Sequence, residues 1–225
     1  MKNILIMRMR YYVRRAKLLI EKLRDLDFDT VVQPEEVGLD PSLAFRSSPS
    51  GNRWLRNLLR DLTITNKDSI IDIGCGKGSA LRVMLELPFS RVDGIELSPH
   101  ICDIATKNFR ILKAKNCEVI VCDAALWANF DAYNIIYFYN PFPCQIMSKV
   151  IRNLCGSINR MDRDVTIIYG NPVCHDVLVK EGGFLKIATY QDEWGNGIAV
   201  YSNRGNRSSR LSKVRFHDEG RSLCP

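Results

Sequence analysis

Residues 72–78 read Asp-Ile-Gly-Cys-Gly-Lys-Gly, between the apolar run Ser69, Ile70, Ile71 and the helical-looking run Ser79 to Leu87. No other stretch constrains the chain as much. Three glycines at alternate positions, on a turn leaving a buried strand, remove the side chains that would hold a ligand off the backbone. The helix that follows presents unpaired N–H groups and the positive end of its dipole to the same place. Asp72, opening the turn, suits a cationic or polyhydroxylated ligand. A glycine-rich turn is also what any tight strand-to-helix connection needs, so the reading depends on what the other strand ends carry.

They carry acids. The run Arg91-Val-Asp-Gly-Ile-Glu96 ends in a carboxylate 18 positions after Gly78. That is near the offset of ~20 residues at which an acidic residue meets a ribose in doubly wound nucleotide folds. An ionised carboxylate can accept from both ribose hydroxyls at once. A third run, Cys117 to Cys122, ends at Asp123-Ala124. A fourth, Tyr133 to Tyr139, has the β-branched and aromatic composition of a buried strand and ends in Asn140-Pro141-Phe142-Pro143. An Asn-Pro pair there also suits a plain loop leaving a core strand.

Taken together, these residues resemble the class I S-adenosylmethionine-dependent methyltransferases over roughly residues 65–202. The glycines follow Gly-x-Gly-x-Gly, not the Gly-x-Gly-x-x-Gly of nicotinamide folds. The resemblance implies S-adenosylmethionine as cofactor. Asp72, Gly74, Cys75, Gly76 and Gly78 would line its methionine and ribose side, Glu96 and Leu97 the ribose, and Asp123 and Ala124 the adenine. Asn140-Pro141-Phe142 is similar to the Asn/Asp-Pro-Pro-Tyr/Phe motif of amino-group methyltransferases, with one proline missing. In that family the Asn oxygen and a neighbouring backbone carbonyl accept the amine hydrogens, and the aromatic ring covers the acceptor. The implied reaction is methylation of an amino nitrogen on a protein lysine or a small molecule. O-methylation is an alternative, as are a non-catalytic cofactor-binding subunit and a dinucleotide-dependent oxidoreductase. The glycine spacing and Asp123 oppose the last. The segment Phe45-Arg-Ser-Ser-Pro-Ser50 loosely matches one that folds over the cofactor in related enzymes, and a plain surface loop is the expectation preferred here.

The expected architecture is α/β, a Rossmann-like doubly wound seven-stranded sheet, mostly parallel with one antiparallel strand near the C-terminus. Strands are expected at 69–73, 91–96, 117–122, 133–139 and 164–170, followed by a hairpin of 184–193 and 197–202. Helices are expected at 4–26, 54–62, 79–87, 99–113, 144–155 and 173–181. Residues 1–64 read as a basic helix, loop and capping helix, 65–202 as the cofactor-binding domain, and 203–225 as a basic tail. Lys77 is expected to be solvated, and His100 exposed.

Formal charge is +7, with +6 on residues 1–26 and +4 on 203–225, so the intervening residues are net acidic. That argues against a broad cationic groove for nucleic acid, although basic arms could still contact it. The N-terminal helix, with an apolar edge at Ala16, Leu19, Leu23 and Leu26, fits either an anionic membrane surface or packing on the domain. No run of ~18 uncharged apolar residues occurs, and no signal peptide is apparent. The eight cysteines include no Cys-x-x-Cys pair and the three histidines are scattered, so no metal site is expected. Free thiols in a reducing cytoplasm are the expectation, with peripheral association at its inner membrane face as the alternative to packing of the helix on the domain.

Overall fold

The structure, a computed structural model, describes residues 19–192 and 194–205 together with Tyr12 and Arg15. Seven strands form one sheet: β1 (Ser69–Ile73), β2 (Arg91–Glu96), β3 (Cys117–Val121), β4 (Ile135–Tyr139), β5 (Thr166–Gly170), β6 (Leu185–Tyr190) and β7 (Ile198–Ser202). Their order is β3-β2-β1-β4-β5-β7-β6. Pairings from β3 through β5 are parallel, and β7 runs antiparallel to both β5 and β6. The seven-stranded sheet with one antiparallel strand is therefore as the sequence predicts. Strand order reverses between β1 and β4, which is where open α/β sheets leave a crevice at their carboxyl ends.

The sheet is flanked by α1 (Arg53–Asp61), α2 (Ser79–Met84), α3 (Pro99–Leu112) and α4 (Cys144–Arg160). Asn52 starts α1 by accepting from the N–H groups of Trp54 and Leu55. Ser98 does the same for α3 toward Ile101, with Pro99 at the first helical position. One apolar layer joins Leu55, Leu58 and Leu59 of α1 to Ile70, Leu81 and Phe109, and Leu26 and Phe28 belong to it. The opposite layer packs Met147, Val150, Ile151 and Leu154 of α4 on Ile71, Ile136 and Ile167.

Several bounds differ from expectation. α4 continues through Gly156 to Arg160, because Ser157 on its last turn is buried and its hydroxyl donates to Asp131. The expected helix at 173–181 is a π-helical turn at Val177–Glu181, where Gly182 N–H donates to Val177 O. The N-terminal helix, expected to 26, ends at residue 23 and turns at Arg24 and Asp25, the latter with φ 57°. Its earlier part, Tyr12 and Arg15 apart, and the tail from 206 lie outside the described residues.

Candidate functional site

The carboxyl ends of β1, β2, β3 and β4 converge on a cavity of about 520 Å3, within the range that takes cofactor-sized ligands. Its base is the turn after β1. Gly74, Gly76 and Gly78 hold φ of 81°, 54° and 85°, a region that side chains with a Cβ resist. Space makes the same demand. A Cβ on Gly74 would lie 2.6 Å from Pro141 Cβ, and one on Gly76 would lie 2.5 Å from Ser47 Oγ. The turn is pinned to β2, since the N–H groups of Gly74 and Cys75 both donate to Ile95 O.

Glu96 ends β2 with its side chain buried. Its Oε2 accepts from Gly76 N–H at 3.0 Å and its Oε1 from Ser98 N–H at 2.9 Å. Glu96 lines the cavity. Burial pushes the carboxyl above its ordinary pKa, and hydrogen bonds from Ser98, Gly76 and Leu97 oppose that only in part. Asp123, beyond β3, is exposed at the mouth with its Oδ1 held by Ala125 N–H at 2.8 Å. Leu97 and Ala124 complete these two walls.

At the end of β4, Asn140 adopts φ 39° and its Oδ1 is buried with no hydrogen-bond partner. Pro141 and Phe142 follow it along the cavity, and the Phe142 ring packs edge-on against Phe138. Pro141 O accepts from Phe45 N–H at 3.0 Å. Of the residues singled out from sequence, the cavity thus gathers all but two. Asp72 is buried and does not line it, and burial followed by the charge of Glu96 drives its pKa well above the usual carboxylate range. Gly78 caps α2, where a Cβ would strike the Phe109 ring at 2.4 Å.

The outer wall is a strap of residues 32–50, whose last part, Phe45 to Ser50, is expected from sequence as a plain surface loop. It includes Val32, Pro34, Phe45, Ser47 and Ser48, and a bridge between Val32 and Ser47 closes it. Lys77 fastens the start of this segment to the glycine turn. The expectation of a solvated lysine is corrected, because Lys77 is only 6% exposed and donates to the Asp27 carboxylate and the Thr30 hydroxyl. Burial raises the Asp27 pKa, but the hydrogen bond and charge of Lys77 outweigh it and hold the carboxyl below its ordinary value. Asn108 bridges the same two segments, donating to the carbonyls of Asp27 and Lys77.

Sequence reasoning also missed Asn171 and Trp194, both on the cavity wall. Buried Asp192 holds the β6–β7 turn there, accepting from the N–H groups of Trp194 and Asn196 and from the Tyr139 hydroxyl. A further correction concerns thiols, because Cys144 and Cys174 form a disulfide. Cys75, Cys102, Cys117, Cys122 and Cys155 are free. The pair removes the support that thiol usage lent to a reducing compartment.

The family profile of a methyltransferase domain matches residues 70–161. No curated protein matches the chain. Among solved structures, it is similar to a SAM-dependent methyltransferase from Aquifex aeolicus, with TM-score 0.52 and 14% identity over 76% of this chain and 97% of that one. Mitomycin 7-O-methyltransferase MmcR gives 0.51 and 14%, over 66% of this chain and 52% of that one. A mutant of MtNAS in complex with S-adenosylmethionine gives 0.50 and 18%, over 66% and 59%. This chain thus covers little more than half of the latter two, and at these identities the likeness establishes the fold. The profile match identifies residues 70–161 as a methyltransferase domain, and the sheet that holds them has the fold of these solved structures.

Proposed function

We propose that the enzyme methylates an amino nitrogen of a small molecule or protein side chain, and that the residues gathered at the cavity are the ones that do it. One observation carries the reading. Asn140 Oδ1 is buried without a donor on the wall of the cofactor cavity, a situation that costs about 1–3 kcal/mol unless something donates to it. An acceptor N–H would satisfy it.

The rest of the cavity fits the cofactor. The Glu96 carboxylate would accept from the ribose, Asp123 and Ala124 stand where the adenine edge would lie, and the glycine turn would admit the methionine portion. When bound, S-adenosylmethionine supplies a methyl on a sulfonium, which leaves as a neutral thioether. The protein therefore has orientation rather than proton transfer to perform. Asn140 would accept one amine hydrogen and turn the nitrogen lone pair toward the cofactor side, with Phe142 restricting the acceptor from below.

Asn140→Gly removes the carboxamide while suiting the left-handed backbone. With labelled S-adenosylmethionine and a fractionated cell extract, label transfer is expected to fall on the order of 10²-fold. S-adenosylhomocysteine affinity should stay within about threefold of the native value, since oriented bonds to the acceptor act on the transition state. Unchanged transfer would reduce Asn140 to a loop residue. A second reading, O-methylation, draws on Pro141 O. Phe45 N–H already occupies one side of that carbonyl, so an acceptor with a single O–H donor would be served by Asn140 alone. The labelled product distinguishes the two by the atom that carries the methyl.

A further inference from the structure

A second asparagine stands beside the first. β4 and β5 pair in parallel with Tyr139 opposite Gly170, so the residues that leave them, Asn140 and Asn171, emerge side by side. Each begins an Asn-Pro pair. Both take left-handed backbone, φ 39° and 48°, and both line the cavity. Non-glycine residues at such φ are uncommon, and strained backbone of this kind concentrates at ligand-binding sites. The strand ends are held close, because a Cβ on Gly170 would lie 2.4 Å from the Tyr139 ring. A few residues further on, the Cys144–Cys174 disulfide ties the two outgoing loops together.

The backbone of Asn171 is fully engaged. Its N–H donates to Gly197 O at 2.9 Å and its carbonyl accepts from Val173 N–H at 2.8 Å. Its carboxamide makes no hydrogen bond to any described residue. Two adjacent left-handed asparagines thus share one cavity, Asn171 with its carboxamide unspent and Asn140 with its Oδ1 unspent.

We infer that Asn171 is a second acceptor-binding residue, its carboxamide taking a hydrogen bond from the atom next to the nitrogen that Asn140 orients. This rests on the methyl-transfer reading above. A carboxamide both donates and accepts, so the pair fits a planar group with two neighbouring polar atoms. The single terminal nitrogen of an extended lysine side chain would leave Asn171 unsatisfied. The exposed faces of Phe45 and Trp194 on the same cavity give such a flat group apolar surface to lie against.

The test uses the full chain, labelled S-adenosylmethionine and a cell extract as acceptor source, in a dilution series. Asn171→Gly keeps the left-handed backbone and removes the carboxamide. At low extract, label transfer by this variant should fall about tenfold, the worth of one hydrogen bond of roughly 1.4 kcal/mol. The deficit should close as extract is concentrated, whereas that of Asn140→Gly should persist at every dilution. S-adenosylhomocysteine affinity should be unchanged in both. Native-like transfer by Asn171→Gly across the series overturns the inference and leaves the methyl-transfer reading standing. A deficit matched by an equal loss of S-adenosylhomocysteine affinity also overturns it, placing Asn171 in the cofactor pocket. If native protein transfers no label, the methyl-transfer reading fails and the inference falls with it.

Discussion

In the proposed role, Glu96 has to be charged in a place that disfavours charge. Burial raises its pKa despite the backbone N–H groups that favour the anion, while a ribose diol needs the anion as acceptor. S-adenosylhomocysteine affinity should therefore decline as pH falls through the raised value, beginning at a higher pH than for an ordinary glutamate near 4.3. Ligand-free stability runs the other way. A group that binds its proton more tightly folded than unfolded adds stability as pH falls toward its unfolded pKa, and that contribution is lost as pH rises. Glu96→Gln should thus remove that increment, so that the melting temperature of the ligand-free variant, relative to native protein, improves as pH rises. It should also weaken S-adenosylhomocysteine binding at least about tenfold, because a charge-assisted hydrogen bond is lost. Calorimetric titrations and melts from about pH 5 to pH 7 check both signs; a native affinity flat across that window would remove Glu96 from the ribose. Glu96 was legible in the sequence because a strand-end acid at a fixed offset is a local pattern. Lys77 was misread because its partner, Asp27, lies 50 residues earlier and no local rule connects them.

At the scale of elements, the disulfide decides how firmly two loops are held. Cys144 opens α4 directly after Asn140-Pro-Phe-Pro, and Cys174 follows Asn171-Pro-Val, 30 residues away. Closing a loop of that length stabilises by about 3–4 kcal/mol on the chain-entropy account, and a domain of this size melts roughly 10 °C lower without it. Reductant should produce that drop in native protein, and none in a Cys144→Ala/Cys174→Ala double variant. Label transfer should fall on reduction while S-adenosylhomocysteine affinity holds, because the glycine turn belongs to β1 and is anchored on β2. A melting temperature indifferent to reductant would mean that the pair does not form in solution. Strand identity and order were legible here, since parallel strand–helix units leave regular apolar runs with punctuated ends. The disulfide was not, because cysteine spacing alone leaves its pairing open. Nor was the strap at 32–50. It owes its position to single long-range ties, such as Phe45 N–H to Pro141 O and Lys77 to Asp27, and not to any periodicity.

At the scale of the whole molecule, charge and exposed apolar surface coincide at the N-terminus. The expected apolar edge divides in the structure. Leu26 and Phe28 are in the core, and Glu21, 4% exposed, pairs with Arg82. Leu19 and Leu23 are 59% and 77% exposed, with Ile20 beside them and Lys22 and Arg24 exposed nearby. The first 26 residues carry a net +6. An apolar stripe flanked by cations suits an anionic lipid surface, where each positive residue contributes roughly 1 kcal/mol. No helix among the described residues is long and apolar enough to cross a membrane. The full chain is expected to sediment with vesicles containing anionic lipid, not with neutral ones, and to be released by salt. A Leu19→Ser/Leu23→Ser variant should remain in the supernatant with its melting temperature and S-adenosylhomocysteine affinity intact, since neither side chain is in the core. Deleting residues 1–18, which carry most of that charge, should weaken sedimentation. Deletion through residue 26 should lower the melting temperature, because Leu26 and the Glu21–Arg82 pair go with it. Sedimentation unaffected by the double substitution would put the charge alone in control, and salt-sensitive binding to RNA but not to vesicles would reassign the basic segment to nucleic acid.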